Sequence, residues 1–226
     1  MEIGILMAEE FNADTQAALG PYLGLFAQLL EGHDFTFRQW NVEHMEFPDS
    51  PHEADGWLIT GSSAGAYDDL PWIAPLEGLI RSIRASNRPL VGICFGHQII
   101  AQALGGRVEK FTGGWCVGRH DYEIGGRTMP LNAWHQDQVV TLPPGARRLG
   151  ASPFCENAVL AYGDSILTYQ PHPEFEAETV AYFTESLKGG SVPDAVLEAA
   201  RATLAEPTEG PEIGRAIAAH FLRNRG

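Results

Sequence analysis

Short apolar runs and longer helix-like stretches take turns along the first hundred residues. "IGILMA" (3–8), "FTFRQW" (35–40), "GWLITG" (56–61) and "PLVGICFG" (89–96) have the length and the branched or aromatic content of strands. Between them, 14–31 and 72–86 read as helices, the first broken at Gly20-Pro21. This β-α-β-α order predicts a parallel sheet covered by helices on both faces. Such sheets receive ligands at the carboxyl ends of their strands.

From about residue 107 the texture changes. "RVEKFTGGWCVGRHDYEIGGRTMP" (107–130) alternates and carries Gly-Gly pairs, which predicts short antiparallel strands or a hairpin turning at Gly125-Gly126. "SILTYQ" (165–170) returns to the core pattern. Beyond it, 174–188, 193–204 and 211–223 read as helices, the last two with a proline near the start, where its missing N–H costs little. No repeat or linker divides the 226 residues, so the expectation is one domain over 1–226, with 189–226 a C-terminal helical extension.

A formal charge of −14 argues against a nucleic-acid or anionic-membrane partner, which the summed field would repel. No segment reaches the roughly 18 apolar residues of a membrane span, and "MEIGILMAEE" does not read as a secretory signal. The expected location is cytoplasmic. The three cysteines, Cys94, Cys116 and Cys155, are odd in number and far apart, so neither a disulfide framework nor a CxxC metal site is indicated. HxxxH and HExxH spacings are absent, as are GxGxxG and the P-loop lysine, and neither metal nor cofactor is expected. His97 reads as packing at a helix start, and His135 as a residue on the site rim. Cys116 and Cys155 read as packed thiols, and Trp40, Trp57 and Trp72 as core.

Cys94 lies where a buried strand gives way to a helix, between Gly92 and Gly96. Glycines permit the unusual dihedrals of a tight strand-to-helix turn, and their missing side chains leave room for a substrate. The helix start favours a thiolate, and the same turn aims the N–H of Phe95 at charge developing on an attacked carbonyl. An inert thiol at a strand end fits the same residues. A nucleophile needs a base and the base an orienting group. "YQPHPEF" (169–175) offers His172 and, two residues on, Glu174, which would share a side if the segment were extended. A loop with solvated polar residues is the bland alternative.

"GICFGHQ" (92–98) followed by "HPE" (172–174) resembles the G-x-C-x-G-x-Q and H-P-E signatures of the class I glutamine amidotransferases. "ITGSSAGAYDDLPWI" (59–73) is similar to the oxyanion-loop region of that family, and "AWHQDQVVTLPPGA" (133–146) to its H-x-D-x-V segment. The likeness covers about residues 1–185 and is greatest to stand-alone proteins similar to the glutaminase domain of GMP synthetase. It implies a flavodoxin-like three-layer α/β fold with a mainly parallel central sheet. It also implies a Cys94-His172-Glu174 triad that hydrolyses the glutamine side-chain amide through a γ-glutamyl thioester. Gln98 would help hold the substrate, Gln136 and Asp137 would contact its amino-acid end, and Gly61 with Phe95 would supply the oxyanion N–H groups. "GSS" (61–63) stands where many relatives have Gly-Gly-Pro, leaving Gly61 and Ser62 both open as the donor, and Pro171 stands where an aromatic commonly precedes the histidine. The ammonia acceptor would be a separate synthetase. Two further readings stay open: a γ-glutamyl peptidase acting on glutathione-like peptides, and a non-catalytic regulatory subunit.

Overall fold

A computed structural model describes residues 1–224, and in it the alternating half of the chain forms β1 (Glu2–Met7), α1 (Ala13–Leu19), α2 (Tyr22–Leu29), β2 (Thr36–Asn41), β3 (Gly56–Ile59), α3 (Ile73–Ala85), β4 (Leu90–Ile93) and α4 (Phe95–Ala103). The predicted 14–31 helix is two helices: Gly20 takes φ +77 and Pro21 caps α2. The antiparallel half follows as β5 (Arg107–Lys110), β6 (Cys116–Ile124), β7 (Arg127–His135), β8 (Asp137–Thr141), β9 (Ala146–Ala151) and β10 (Val159–Tyr162). Then come β11 (Ile166–Tyr169), α5 (Ala177–Ser186), α6 (Asp194–Ala202) and α7 (Gly210–Arg223). Gly125 and Gly126 turn the β6–β7 hairpin with φ +59 and +80, the positive pair that a two-residue turn of the expected kind requires.

Nine strands form one sheet in the order β2-β1-β3-β4-β11-β10-β9-β6-β7. Neighbours from β2 to β11 are parallel, and those from β11 to β7 are antiparallel. The period of two sorts the parallel strands between two cores. Ile3, Ile5, Leu58, Val91 and Ile93 share one core with Phe26 of α2 and Ile213, Ile217 and Phe221 of α7, while α6 packs beside them on β6. Leu6, Trp57, Ile59 and Leu90 face α3 and α4, where Leu76, Ile80, Ile83, Ile99 and Ile100 meet them. The result is the three-layer, flavodoxin-like arrangement that the resemblance implied.

The order also brings three chain crossings together. β3, β4 and β11 are adjacent and parallel, with Ile59 beside Gly92 and Ile93 beside Tyr169. The residues just beyond their carboxyl ends, Gly61, Cys94 and His172, therefore emerge on one edge of the sheet. Residues 189–224 carry α6 and α7 back onto this body: Gly118 meets Ala200, and Gly210 lies so close to Pro173 that an added Cβ would be 2.4 Å from its carbonyl oxygen. The last two residues of the expected extension, Arg225 and Gly226, lie outside the described residues. Among those described, no helix is long and apolar enough to cross a membrane.

Candidate active site

The strand expected over 89–96 stops at Ile93, and Phe95 already begins α4, so Cys94 alone makes the turn. It does so at φ +51, ψ −104, a region that costs a non-glycine residue about 1–3 kcal/mol. Three backbone bonds hold it there: Cys94 N–H to the Tyr169 carbonyl (2.8 Å), Gly96 N–H to that of Thr60 (3.1 Å), and Gln98 N–H to that of Cys94 (3.1 Å). The expected role of the flanking glycines is corrected accordingly. Neither Gly92 nor Gly96 has a positive φ. A Cβ on Gly92 would lie 2.5 Å from the Gly96 oxygen, and one on Gly96 2.3 Å from the Ile59 oxygen. Their missing side chains let α4 seat against β3 and β4; backbone, not substrate, fills that space.

His172 and Glu174 meet by a different route from the one expected. The segment is not extended: His172 makes a single bridge to Asn132, its N–H bonding the Asn132 carbonyl at 2.8 Å, and the chain then turns, with Phe175 N–H on the His172 carbonyl at 3.2 Å. Asn132 Nδ2 fastens the far side of the turn at the Phe175 carbonyl, 2.8 Å away, and the Phe175 ring stacks on the imidazole with centroids 4.0 Å apart. Within this turn His172 Nδ1 lies 2.7 Å from Glu174 Oε1, leaving Nε2 for other chemistry. Both residues are 4% exposed. Burial works to lower the His172 pKa, but the Glu174 carboxylate, then the charge and hydrogen bond of Cys94, outweigh it and hold the imidazolium well above the usual histidine range.

The imidazole lies against the elbow. The position of a Cβ on Gly61 would be 3.0 Å from His172 Cε1 and 3.7 Å from Cys94 Cβ, which places all three residues around one point. Cys94, 6% exposed, has its sulfur 3.8 Å from the Trp134 carbonyl and 3.7 Å from Gln170 Nε2. Gly61 does not offer a free N–H: it donates to the Tyr22 hydroxyl at 3.2 Å. Glu9 accepts the N–H of Ser63. Between these two tethers the Ser62 N–H donates to no group among the described residues, and the same holds for Phe95 N–H at the first turn of α4.

A family pattern described as "Glutamine amidotransferase class-I" matches residues 31–183. The chain belongs to this family. It is 29% identical over 238 residues to γ-glutamyl peptidase 4 of Arabidopsis thaliana, covering 98% of this chain and 95% of that one. Over 106 residues it is 35% identical to a glutamine-hydrolysing GMP synthase subunit of Methanospirillum hungatei, covering 43% of this chain and 56% of that one. A solved structure of a glutamine amidotransferase from Methylobacillus flagellatus shares the fold, with a TM-score of 0.76 over 100% of this chain and 95% of that one at 22% identity.

Of the remaining residues that the amidotransferase likeness nominated, Gln98 lies beside the elbow, whereas the side chains of Gln136 and Asp137 meet Phe111 and Tyr67. Gln98 is buried, and its Nε2 is committed to the Asp137 carbonyl (3.0 Å) and Gln170 Oε1 (3.1 Å), so it braces the wall beside Cys94. Gln136 reaches the Phe111 carbonyl at 3.3 Å. Asp137 keeps a half-buried carboxyl whose charge and hydrogen bond, behind burial, help raise the Tyr67 hydroxyl to about 12. His135 is not on a rim: it is buried, bonded through Nδ1 to the Asp137 carbonyl at 3.2 Å, and burial pushes it down to about 3. His97 packs at the start of α4 as expected, against Thr168 Oγ1 at 2.8 Å, and burial lowers it to about 3 as well. Burial drives Cys116 and Cys155 up to about 12, unlike the state a nucleophile needs at neutral pH. Tyr22 had no local sequence signal and reaches Glu174 and Gly61 from a distant element. Gln170, two residues before His172 and just past the end of β11, lies in the quoted stretch but was not singled out, and its Nε2 reaches the Cys94 sulfur.

Proposed function

We propose that this class I amidotransferase hydrolyses γ-glutamyl amides, with glutamine as substrate, through a thioester on Cys94. The observation that carries the reading is the meeting of a strained, backbone-clamped cysteine with an imidazole whose other nitrogen is bound to a buried carboxylate at 2.7 Å. The sulfur attacks the γ-carbonyl carbon while its proton resides on His172, which Glu174 holds in one tautomer and stabilises as the cation. Negative charge on the carbonyl oxygen falls between the N–H groups of Phe95 and Ser62. His172 then gives its proton to the leaving nitrogen, the C–N bond breaks, and ammonia departs. Water adds to the thioester with His172 as base, the C–S bond breaks back to the sulfur, and glutamate leaves.

In this reading the whole chain acts as one cytoplasmic domain, Gln136 and Asp137 receive the amino-acid end of the substrate, and the ammonia passes to a separate synthetase. The similarity to the GMP synthase subunit supports the last point. A second reading, cleavage of γ-glutamyl peptides, is favoured by the nearly complete overlap with γ-glutamyl peptidase 4. Both substrates present the same acyl group to Cys94, so the leaving nitrogen decides between them. The test is kcat/KM for glutamine, γ-glutamyl dipeptides and glutathione, read as ammonia, amine and glutamate release. Preference for glutamine is the expected result; preference for the peptides selects the second reading, and no turnover of any of them overturns both.

A further inference from the structure

Tyr22 opens α2 on the far side of the sequence from the catalytic motifs, 152 residues from Glu174, yet its hydroxyl touches both halves of the site. It donates to Glu174 Oε1 at 3.2 Å, the same oxygen that receives His172 Nδ1, and it accepts the Gly61 N–H at 3.2 Å. We propose that Tyr22 is a positioning residue for γ-glutamyl transfer, its hydroxyl locking the orienting carboxylate of the triad to the backbone of the oxyanion loop. The inference rests on the reading of Cys94, His172 and Glu174 as the triad and names a fourth side chain that this triad requires.

The direction of each bond follows from what the groups can do. Gly61 N–H can only donate, so the phenol oxygen accepts from it and spends its single proton on Glu174. That proton stays in place, because burial first, and then the charges of Glu174, Cys94 and Glu9, raise the Tyr22 pKa well above its ordinary value. On the triad side, the bond fixes the rotamer of a carboxylate whose second oxygen, Oε2, is buried without a partner. On the loop side, it takes up the Gly61 N–H, which leaves the next N–H, that of Ser62, to face the reacting carbonyl. Without the hydroxyl, Gly61 N–H would lose its acceptor beside the elbow and the loop could turn that donor elsewhere. The ring itself is held independently, stacked on Phe11 at 4.4 Å and tilted against Phe26 at 5.1 Å. A phenylalanine at this position would keep that packing and remove only the hydroxyl.

Tyr22→Phe is the deciding variant. Loss of a hydrogen bond to a charged, buried group predicts a kcat about ten- to a hundredfold lower, with KM for glutamine changed less than about twofold. In a Glu174→Gln background the same substitution should cost clearly less, because the charge it acts on is gone. A readout independent of turnover is the NMR titration of His172. Among the described residues, the titratable groups facing that ring are Glu174 in its own turn, Cys94 from the β4–α4 elbow, His135 from β7 and Tyr22 itself from α2. Removing the donor leaves the Glu174 charge less dispersed, so the His172 midpoint should move up in Tyr22→Phe. An unchanged kcat, an equal factor in both backgrounds, or an unmoved midpoint would each overturn the proposal. A wild-type protein inactive on every γ-glutamyl amide would instead overturn the functional reading, and the midpoint alone would then decide whether Tyr22 acts on the carboxylate.

Discussion

Gly96→Ala tests how the elbow is built. The added Cβ would sit 2.3 Å from the Ile59 oxygen and 2.9 Å from its carbonyl carbon, roughly 1 Å inside ordinary contact. Those atoms belong to β3, held between β1 and β4 inside the sheet, so relief must come from α4 lifting away. Overpacking of this kind costs about 1–3 kcal/mol. With a urea m-value of about 2 kcal/mol/M, the unfolding midpoint should fall by about 0.5–1.5 M. Lifting α4 by even half of the overlap carries Phe95 N–H and Cys94 with it, and misplacement approaching 1 Å can reduce turnover by about 10²-fold. Gly78→Ala is the matched control: it lies inside α3 with nothing within 4 Å of an added Cβ, and should stabilise by about 0.5–1 kcal/mol without altering rate. Urea melts followed by tryptophan fluorescence, together with glutaminase kinetics, read both quantities. If Gly96→Ala melts and turns over like the wild type, α4 is not seated on β3 by that glycine and the reasoning fails.

Two further outcomes follow from the site. Glu174→Gln should lower kcat by about tenfold to a thousandfold with a smaller change in KM, and should lower the His172 pKa, since it removes the first influence that raises it; full activity would mean that another group orients the imidazole. Stability should fall on both sides of neutrality, as urea midpoints measured across pH will show. His97 and His135 are buried neutral with pKa values near 3, so the stability of keeping them uncharged is complete above about pH 6.5 and is lost progressively as pH falls below it. His172 has the opposite sign: its raised pKa contributes fully below about pH 6.5 and fades as pH climbs towards its folded value. A midpoint that does not move between about pH 7 and about pH 5 would contradict the acid limb.

What could be read in advance was whatever the chemistry keeps close in sequence. The cysteine turn occupies 92–98 and the imidazole with its carboxylate 172–174, and the alternating runs placed both at the ends of predicted strands. The strand order that sets β4 beside β11 is a long-range fact, as is the docking of α2 that brings Tyr22 to Glu174, and neither leaves a mark on a local window. Glycine shows that a side chain is missing without showing why: Gly92 and Gly96 were expected to serve dihedral freedom and instead serve close packing, while Cys94 itself takes the positive φ. β9 and β10 escaped a strand reading; "ARRLGA" puts two arginines side by side, and its pairing with β10 contains an irregularity in register. His135 sits in the polar run "WHQDQ", which reads as rim, yet hydrogen bonds to backbone carbonyls let His135 and Gln138 be buried there.

On the proposed mechanism, Cys94 carries the γ-glutamyl group during turnover. Acid-quenching the enzyme in the steady state with glutamine, followed by intact-mass and peptide mass spectrometry, tests it directly. One added γ-glutamyl group per chain, located on the peptide containing Cys94 and absent from Cys94→Ala, is the predicted result. Turnover with no adduct in Cys94→Ala, or an adduct found on Cys116 or Cys155, would contradict it.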